Sequence, residues 1–154
     1  MTNITIIDTG CANLSSVKFA FDRLGYNTEI TFDLNKIKSA DKLILPGVGT
    51  ANAAMYNLQE RQLIETIQNL TQPVLGICLG MQLMTEFSEE GNVPTLNLIS
   101  GKTNRIPDTG LPLPQMGWNR VQFVNTCPLF DGIVQNSHFY FVYSFAVSPN
   151  EHSV

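Results

Sequence analysis

The chain has 154 residues, of which 44% are hydrophobic and only 14% are charged, so it can bury a core and is neither disordered nor low-complexity. Nine basic and thirteen acidic side chains leave a net charge of −4, which disfavours nucleic acid and anionic membranes as partners. Three scattered cysteines, no signal-peptide pattern and no apolar run of membrane-spanning length favour a reduced, cytoplasmic protein without a metal or cofactor.

The first half of the sequence alternates short β-branched runs with helical periodicity. This pattern is typical of parallel βα units with helices on both faces of a sheet. Strands are predicted at residues 4–8, 27–30, 42–45 and 73–77, and helices at 14–24, 51–58, 63–70 and 81–87. Asn13 is predicted to cap the first helix and Gly25 to end it. The strand at 73–77 is wholly apolar, which predicts a place at the centre of the sheet, buried on both faces.

After Gly91 the pattern changes to proline-rich connections and runs of period two. Residues 102–106, 118–123 and 139–147 are predicted to form mixed or antiparallel strands added to the parallel core. No internal repeat or linker-like segment divides the sequence, so we predict a single α/β domain over residues 1–154.

Cys78 is predicted to lie where the apolar strand runs into a helix, between Gly76 and Gly80. This arrangement matches a nucleophile elbow, in which a tight turn pushes the side chain above the sheet and glycines let neighbouring backbone approach. The thiol would lie at a helix N-terminus, where the helix dipole favours an anion. The N–H of Leu79 would point to the same place, as an oxyanion donor. The alternative is a buried structural cysteine.

A second glycine-containing segment, Pro46-Gly47-Val48-Gly49-Thr50, follows the strand at 42–45. Ligands of α/β sheets bind at the carboxyl ends of parallel strands, and the exposed N–H groups of such a loop can supply a second oxyanion donor. A simple βα turn is the equal alternative. The loop lacks the Lys-Ser/Thr ending of a P-loop and the third glycine of a dinucleotide fingerprint, which disfavours a phosphate site.

Together with their neighbours, these segments resemble the class I (triad) glutamine amidotransferases. The superfamily shares the segment at 73–82, PVLGICLGMQ. Four further segments resemble in particular the glutaminase subunits of imidazole glycerol phosphate synthase: IDTGCANL at 7–14, LPGVGT at 45–50, SEEG at 88–91 and MGWN at 116–119. The resemblance extends to about residue 147. It implies a flavodoxin-like three-layer fold, with a central, mostly parallel sheet, helices on both faces and added antiparallel strands.

The resemblance implies that Cys78 attacks the side-chain amide of glutamine, forms a glutamyl thioester and releases ammonia. The ammonia would pass to a cyclase partner in histidine biosynthesis, a HisF-like (β/α)8-barrel bound as a heterodimer. The implied oxyanion donors are the backbone N–H groups of Leu79 and Val48, the latter after the Gly47–Val48 peptide reorients. The implied glutamine-binding residues are Gly47, Gly49, Gln82, Glu90, Ser144 and Phe145. The implied partner-facing residues are Asn13, Trp118 and Asn119.

The family's general base, a histidine in a Gln-Phe-His-Pro-Glu-like segment, is absent from these 154 residues, whose histidines are His138 and His152. Neither has the matching glutamate, so we expect a domain without its C-terminal part. A base contributes about 10²- to 10⁴-fold to the rate, so we expect weak or no activity.

Three residues also depart from the family's usual ones, namely Gln115, Tyr143 and Phe145. Gln115 and Tyr143 stand where the family usually has histidine, and Phe145 where it usually has tyrosine. Two alternatives stay open. The chain can be a protein that binds the partner without hydrolysing glutamine, or an amidotransferase subunit for a sugar or nucleotide pathway.

Overall fold

A four-stranded parallel sheet organises the first half of the chain in the computed structural model, which describes residues 2–151 and 153. Its strands are β1 (Ile4–Ile7), β2 (Thr28–Thr31), β3 (Lys42–Gly47) and β4 (Val74–Cys78), in the order β2-β1-β3-β4. The register pairs Gly47 with Cys78, the last residues of β3 and β4. The glycine loop and the cysteine therefore begin at the same edge of the sheet.

Among the described residues, five helices cover the two faces of this sheet, which confirms the predicted α/β fold. They are α1 (Leu14–Arg23), α2 (Leu34–Ser39), α3 (Ala51–Glu60), α4 (Ile64–Gln68) and α5 (Leu79–Leu83). Residues of α2 to α5 pack with Leu43 and Leu45 in the larger core cluster. On the other face, α1 packs its apolar side against a smaller cluster that includes Ile6.

The first helix begins as predicted, because the Asn13 side chain accepts a hydrogen bond from the Ser16 N–H at 3.2 Å. Gly25 follows the helix with a φ of +81°, a conformation that favours glycine. The helix ends at Arg23, one residue before the predicted end at residue 24, and Leu24 is 71% exposed at its C-cap. Helix α2 was not predicted; its signal in the sequence is the N-cap Asp33, whose side chain accepts from the N–H groups of Asn35 and Lys36.

The prediction that β4 lies at the centre of the sheet is wrong. Among the described residues it pairs with β3 alone and forms the edge of the sheet. Leu75 is 39% exposed and Ile77 is 37% exposed. An apolar strand can lie at the edge or at the centre of a parallel sheet, because its composition does not determine which strands lie beside it.

The second half adds antiparallel pairing, as predicted. The short strands β5 (Phe87–Ser88), β6 (Val93–Pro94), β7 (Lys102–Arg105) and β10 (Phe145–Val147) form a sheet in the order β10-β7-β5-β6, and β8 (Gln115–Arg120) pairs with β9 (His138–Tyr143). The strand predicted at 139–147 is therefore two strands. Ser144 separates them, because the chain leaves β8 at Tyr143 and joins β7 at Phe145.

Candidate active site

The backbone at Cys78 has the geometry of a nucleophile elbow. Cys78 ends β4 and immediately precedes α5, with φ +54° and ψ −119°. Residues other than glycine rarely adopt a positive φ, because this backbone conformation is strained. Such strain is concentrated at functional sites. The Cys78 side chain is exposed, which contradicts the alternative of a buried structural cysteine.

Two glycines let helix α5 approach the sheet at this turn. A Cβ added to Gly80 would lie 1.8 Å from the Leu45 carbonyl oxygen, in the backbone of β3. A Cβ added to Gly76 would lie 2.6 Å from the Cα of Met81. Both distances are far below ordinary van der Waals contact, so the position of α5, and of the thiol that precedes it, depends on glycine at these two places.

A cavity of about 380 Å³ opens beside the thiol. It brings together eight of the residues predicted from the sequence: Val48, Gly49, Cys78, Leu79, Gln82, Glu90, Ser144 and Phe145. Gly47 does not line it but pairs with Cys78 in the sheet. The volume is in the range of small-molecule sites.

The cavity has further lining residues that the sequence analysis did not assign, Pro114 and Val142, and Tyr143 lies beside them. The alternating residue pattern of the strand at 139–147 was a signal that could have pointed to Val142 and Tyr143. No sequence signal pointed to Pro114. Gln115 and Tyr143, two of the departures from the family pattern, are direct cross-strand partners. Both departures therefore affect one rung of the β8–β9 ladder at the edge of the cavity.

Gln82 and Glu90 are held in place by hydrogen bonds to neighbouring backbone. Gln82 Nε2 donates to the Phe145 carbonyl at 3.0 Å and so joins α5 to β10. Glu90 Oε2 accepts from the Ala51 N–H at 3.0 Å, in the first turn of α3. Each side chain retains an oxygen that can accept from a ligand, Oε1 of the Gln82 amide and Oε1 of the Glu90 carboxylate.

The N–H of Val48 is engaged by the chain itself. It donates to the Cys11 carbonyl at 2.8 Å, across to the loop that follows β1. The next residue, Gly49, has a φ of +94°, which glycine adopts without strain. The Val48 N–H can therefore act as an oxyanion donor only after this hydrogen bond breaks and the peptide rotates.

His138 is too far from the cavity to act as the base. It is exposed and begins β9, opposite Arg120, whereas Tyr143 at the other end of the strand lines the cavity. Five residues of extended strand, at ~3.4 Å each, separate the two ends by about 17 Å. His152 lies outside the described residues. Within the part of the chain that the structure describes, the cavity lining includes no histidine.

An exposed apolar surface runs along the β8–β9 pair next to the cavity. Trp118 is 68% exposed and faces its cross-strand partner Tyr140, with ring centroids 5.5 Å apart. Met116 and Val142 form the neighbouring exposed pair. We call these four residues the β8–β9 stripe. Val142 belongs both to the stripe and to the lining of the cavity.

The remaining predicted partner residues are also at the surface. Asn119 follows Trp118 on β8 and is exposed, and Asn13 is exposed at the start of α1. In residues 2–151 and 153 no helix is long and apolar enough to cross a membrane. No group of three His, Cys, Asp or Glu side chains among these same residues has a geometry that could hold a metal ion. Cys11, Cys78 and Cys127 are all free thiols.

Comparisons with a family model and with curated proteins identify relatives of this chain. The family model described as glutamine amidotransferase class-I matches residues 5–154. Imidazole glycerol phosphate synthase subunit HisH of Haemophilus influenzae (strain 86-028NP) is 97% identical over all 154 residues, which cover 77% of that protein. The protein of the same name from Mannheimia succiniciproducens is 72% identical over 149 residues, which are 97% of this chain and 77% of that protein.

A solved structure supports the fold independently. The chain superimposes with a TM-score of 0.74 on a protein described as a glutamine amidotransferase, covering 97% of this chain and 75% of that one. The two sequences are 13% identical, so this similarity concerns the fold alone.

Proposed function

Because the chain belongs to the class-I glutamine amidotransferase family, we propose that it acts as the glutaminase subunit of an imidazole glycerol phosphate synthase. It hydrolyses glutamine to glutamate and ammonia for histidine biosynthesis. The observation that carries the chemistry is the strained, exposed Cys78 beside a cavity of substrate size. The pathway is supported by the relatives named HisH, at 97% and 72% identity.

The thiolate of Cys78 attacks the side-chain carbonyl carbon of glutamine, and the carbonyl oxygen becomes an oxyanion. The N–H of Leu79 stabilises this oxyanion, and the N–H of Val48 joins it after leaving the Cys11 carbonyl. Collapse of the intermediate breaks the carbon–nitrogen bond, releases ammonia and leaves a glutamyl thioester. Water then cleaves the thioester to glutamate and restores the thiol.

The leaving nitrogen and the attacking water both need proton transfer. The 154 residues contain no His-Pro-Glu segment, and His138 is remote from the thiol. The HisH relatives are longer than the matched region, which covers 77% of the H. influenzae protein. We therefore assign the base to residues outside these 154.

Polar side chains that line the cavity orient the substrate. Glutamine carries an ammonium group and a carboxylate at its α-carbon, and Glu90 offers a carboxylate oxygen to the ammonium. Gln82, fixed by its bond to the Phe145 carbonyl, presents its amide oxygen from α5. Gly49, Ser144 and Phe145 also line the cavity.

A HisF-like cyclase barrel docks on the β8–β9 stripe and forms a heterodimer with this chain. Exposed aromatic residues are common anchors of protein interfaces, and Trp118 is the largest one in the stripe. Asn119 and Asn13 add polar contacts in this proposal. Because Val142 belongs to both the stripe and the cavity, the cyclase would lie next to the place where ammonia is released.

The relatives named HisH disfavour an amidotransferase for a sugar or nucleotide pathway. The remaining alternative is a chain that binds the cyclase and does not react with glutamine. Glutamate release, measured with the cyclase present, separates the two. We expect slow release that disappears in Cys78→Ala, about 10²- to 10⁴-fold below the rate of a relative that carries the histidine base.

Equal release by the chain and by Cys78→Ala would contradict the assignment of the nucleophile. A rate that matches the full relative would contradict the assignment of the base to residues beyond these 154. Binding of the cyclase without any reaction at Cys78 would favour the non-catalytic alternative.

A further inference from the structure

The hydrogen bond between Val48 and Cys11 joins two loops, and helix α3 contacts both of them. The loop that contains Val48 leads directly into α3, whose first turn is capped by Thr50 through a bond from the Ala53 N–H. The other loop, residues 8–11, lies against the opposite end of the same helix through Asn57 and Arg61. The apolar side of α3 is buried in the core, so the helix is a fixed support for both loops.

Arg61, directly after α3, contacts the loop after β1 and the Phe32 side chain just after β2. Its guanidinium donates to the Asp8 carbonyl at 2.8 Å and pairs with the Asp8 carboxylate at 2.8 Å. A Cβ added to Gly10 would come within 3.1 Å of the guanidinium, so Arg61 lies directly against the turn. The guanidinium also lies over the Phe32 ring, 4.9 Å from its centre. Arg61 thus fixes the residues that immediately precede Cys11.

Asn57, one helical turn before Arg61, contacts Cys11 itself. Its Nδ2 donates to the Cys11 Sγ at 2.7 Å. The Cys11 N–H donates to Thr9 Oγ1, and the Gly10 N–H donates to the Asp8 carboxylate. The turn that presents the Cys11 carbonyl to Val48 is therefore held from within and by two side chains near the end of α3. Neither Asn57 nor Arg61 lies in the segments that carry the family resemblance.

We propose that Arg61 and Asn57 are positioning residues, which hold the Cys11 carbonyl against the Val48 N–H and so keep the second oxyanion donor engaged. The inference rests on the proposed function, because the hydrogen bond matters for catalysis only if Val48 serves as that donor. Weakening the contacts of either side chain shifts the Gly47–Val48 peptide toward the orientation in which the Val48 N–H no longer donates to the Cys11 carbonyl. No group that touches the substrate is changed.

Amide hydrogen exchange, followed residue by residue by NMR on the 154-residue chain, tests the proposal. In Arg61→Gln the loop loses an ion pair and charge-assisted hydrogen bonds, so we expect the Val48 amide to exchange about tenfold faster. Arg61→Lys keeps the charge without the planar fork, and we expect an intermediate rate. Asn57→Ala is expected to raise the Val48 rate to a smaller extent. Gln59→Ala, an exposed change on the same helix, is the matched control.

Two other amides report on general stability, that of Leu43, bonded to the Pro73 carbonyl, and that of Ala54, bonded to the Thr50 carbonyl. A selective rise at Val48 supports positioning. An unchanged Val48 rate in Arg61→Gln, or an equal rise at Leu43 and Ala54, overturns it. The readout needs neither glutamine nor turnover, so it fails or succeeds separately from the proposed glutaminase reaction.

Discussion

Replacing Gly80 by alanine separates helix propensity from packing at the nucleophile turn. In an exposed helix, alanine is more stable than glycine by ~1 kcal/mol. Here the new Cβ would lie 1.8 Å from the Leu45 carbonyl oxygen and 2.7 Å from its carbonyl carbon. An ordinary contact is about 3.4 Å, so α5 and β3 must separate by roughly 1.6 Å. Overpacking of this kind costs about 3 kcal/mol, which leaves a net loss of about 2 kcal/mol.

For a domain of this size the loss corresponds to a fall in Tm of about 4 to 8 °C, measured by thermal unfolding with circular dichroism. Gly110→Ala is the matched control, since it adds the same atom where no neighbour lies within 4 Å, at a φ of +77°. The stability of that variant should fall by only ~1 kcal/mol, the cost of placing a residue with a Cβ in the left-handed conformation. A Gly80→Ala chain as stable as the parent, or more stable, would refute the steric reasoning.

Three further predictions concern binding and solution behaviour. Trp118→Ala should weaken binding of the cyclase barrel by about 2 kcal/mol, roughly 30-fold in Kd by calorimetric titration, whereas Tyr56→Ala, exposed on α3, should not. An unchanged Kd for Trp118→Ala would remove the stripe from the interface. Glu90→Gln keeps an oxygen for the Ala51 N–H but removes the negative charge that would bind the ammonium group of glutamine. Glutamine should therefore protect Cys78 of this variant from alkylation about tenfold less well than in the parent. Equal protection would contradict the role of Glu90. The chain alone should self-associate in light scattering through the edge of β4, and Leu75→Lys should shift it toward the monomer. A monomeric parent with a sharp melt would argue against this.

The nucleophile turn is predictable from the sequence because its determinants are local. Cys78 lies between two glycines where an apolar strand ends, and the geometry needs only that strand, that turn and the helix that follows. The Asn13 cap and the stop at Gly25 are predictable for the same reason. Short-range patterns thus located the elbow and the first helix to within one or two residues.

The features that the sequence analysis missed depend on contacts between distant segments. The place of β4 at the edge depends on which strands lie beside it, and an apolar run looks alike in both positions. The switch of the chain from β8 to β7 at Ser144 depends on two partners far away in sequence. The bond from Val48 to the Cys11 carbonyl spans two loops that are 37 residues apart, so no local pattern reveals it.

The central claim, that Cys78 is the nucleophile of a glutamine site, is tested most directly by affinity labelling. The chain is treated with a glutamine analogue that carries a chloromethyl ketone in place of the side-chain amide, and the modified cysteine is identified by mass spectrometry. We predict that Cys78 is labelled well before Cys11 and Cys127, which are both half-buried, and that excess glutamine protects it. Labelling of Cys78 no faster than that of Cys127, without protection by glutamine, would contradict the claim.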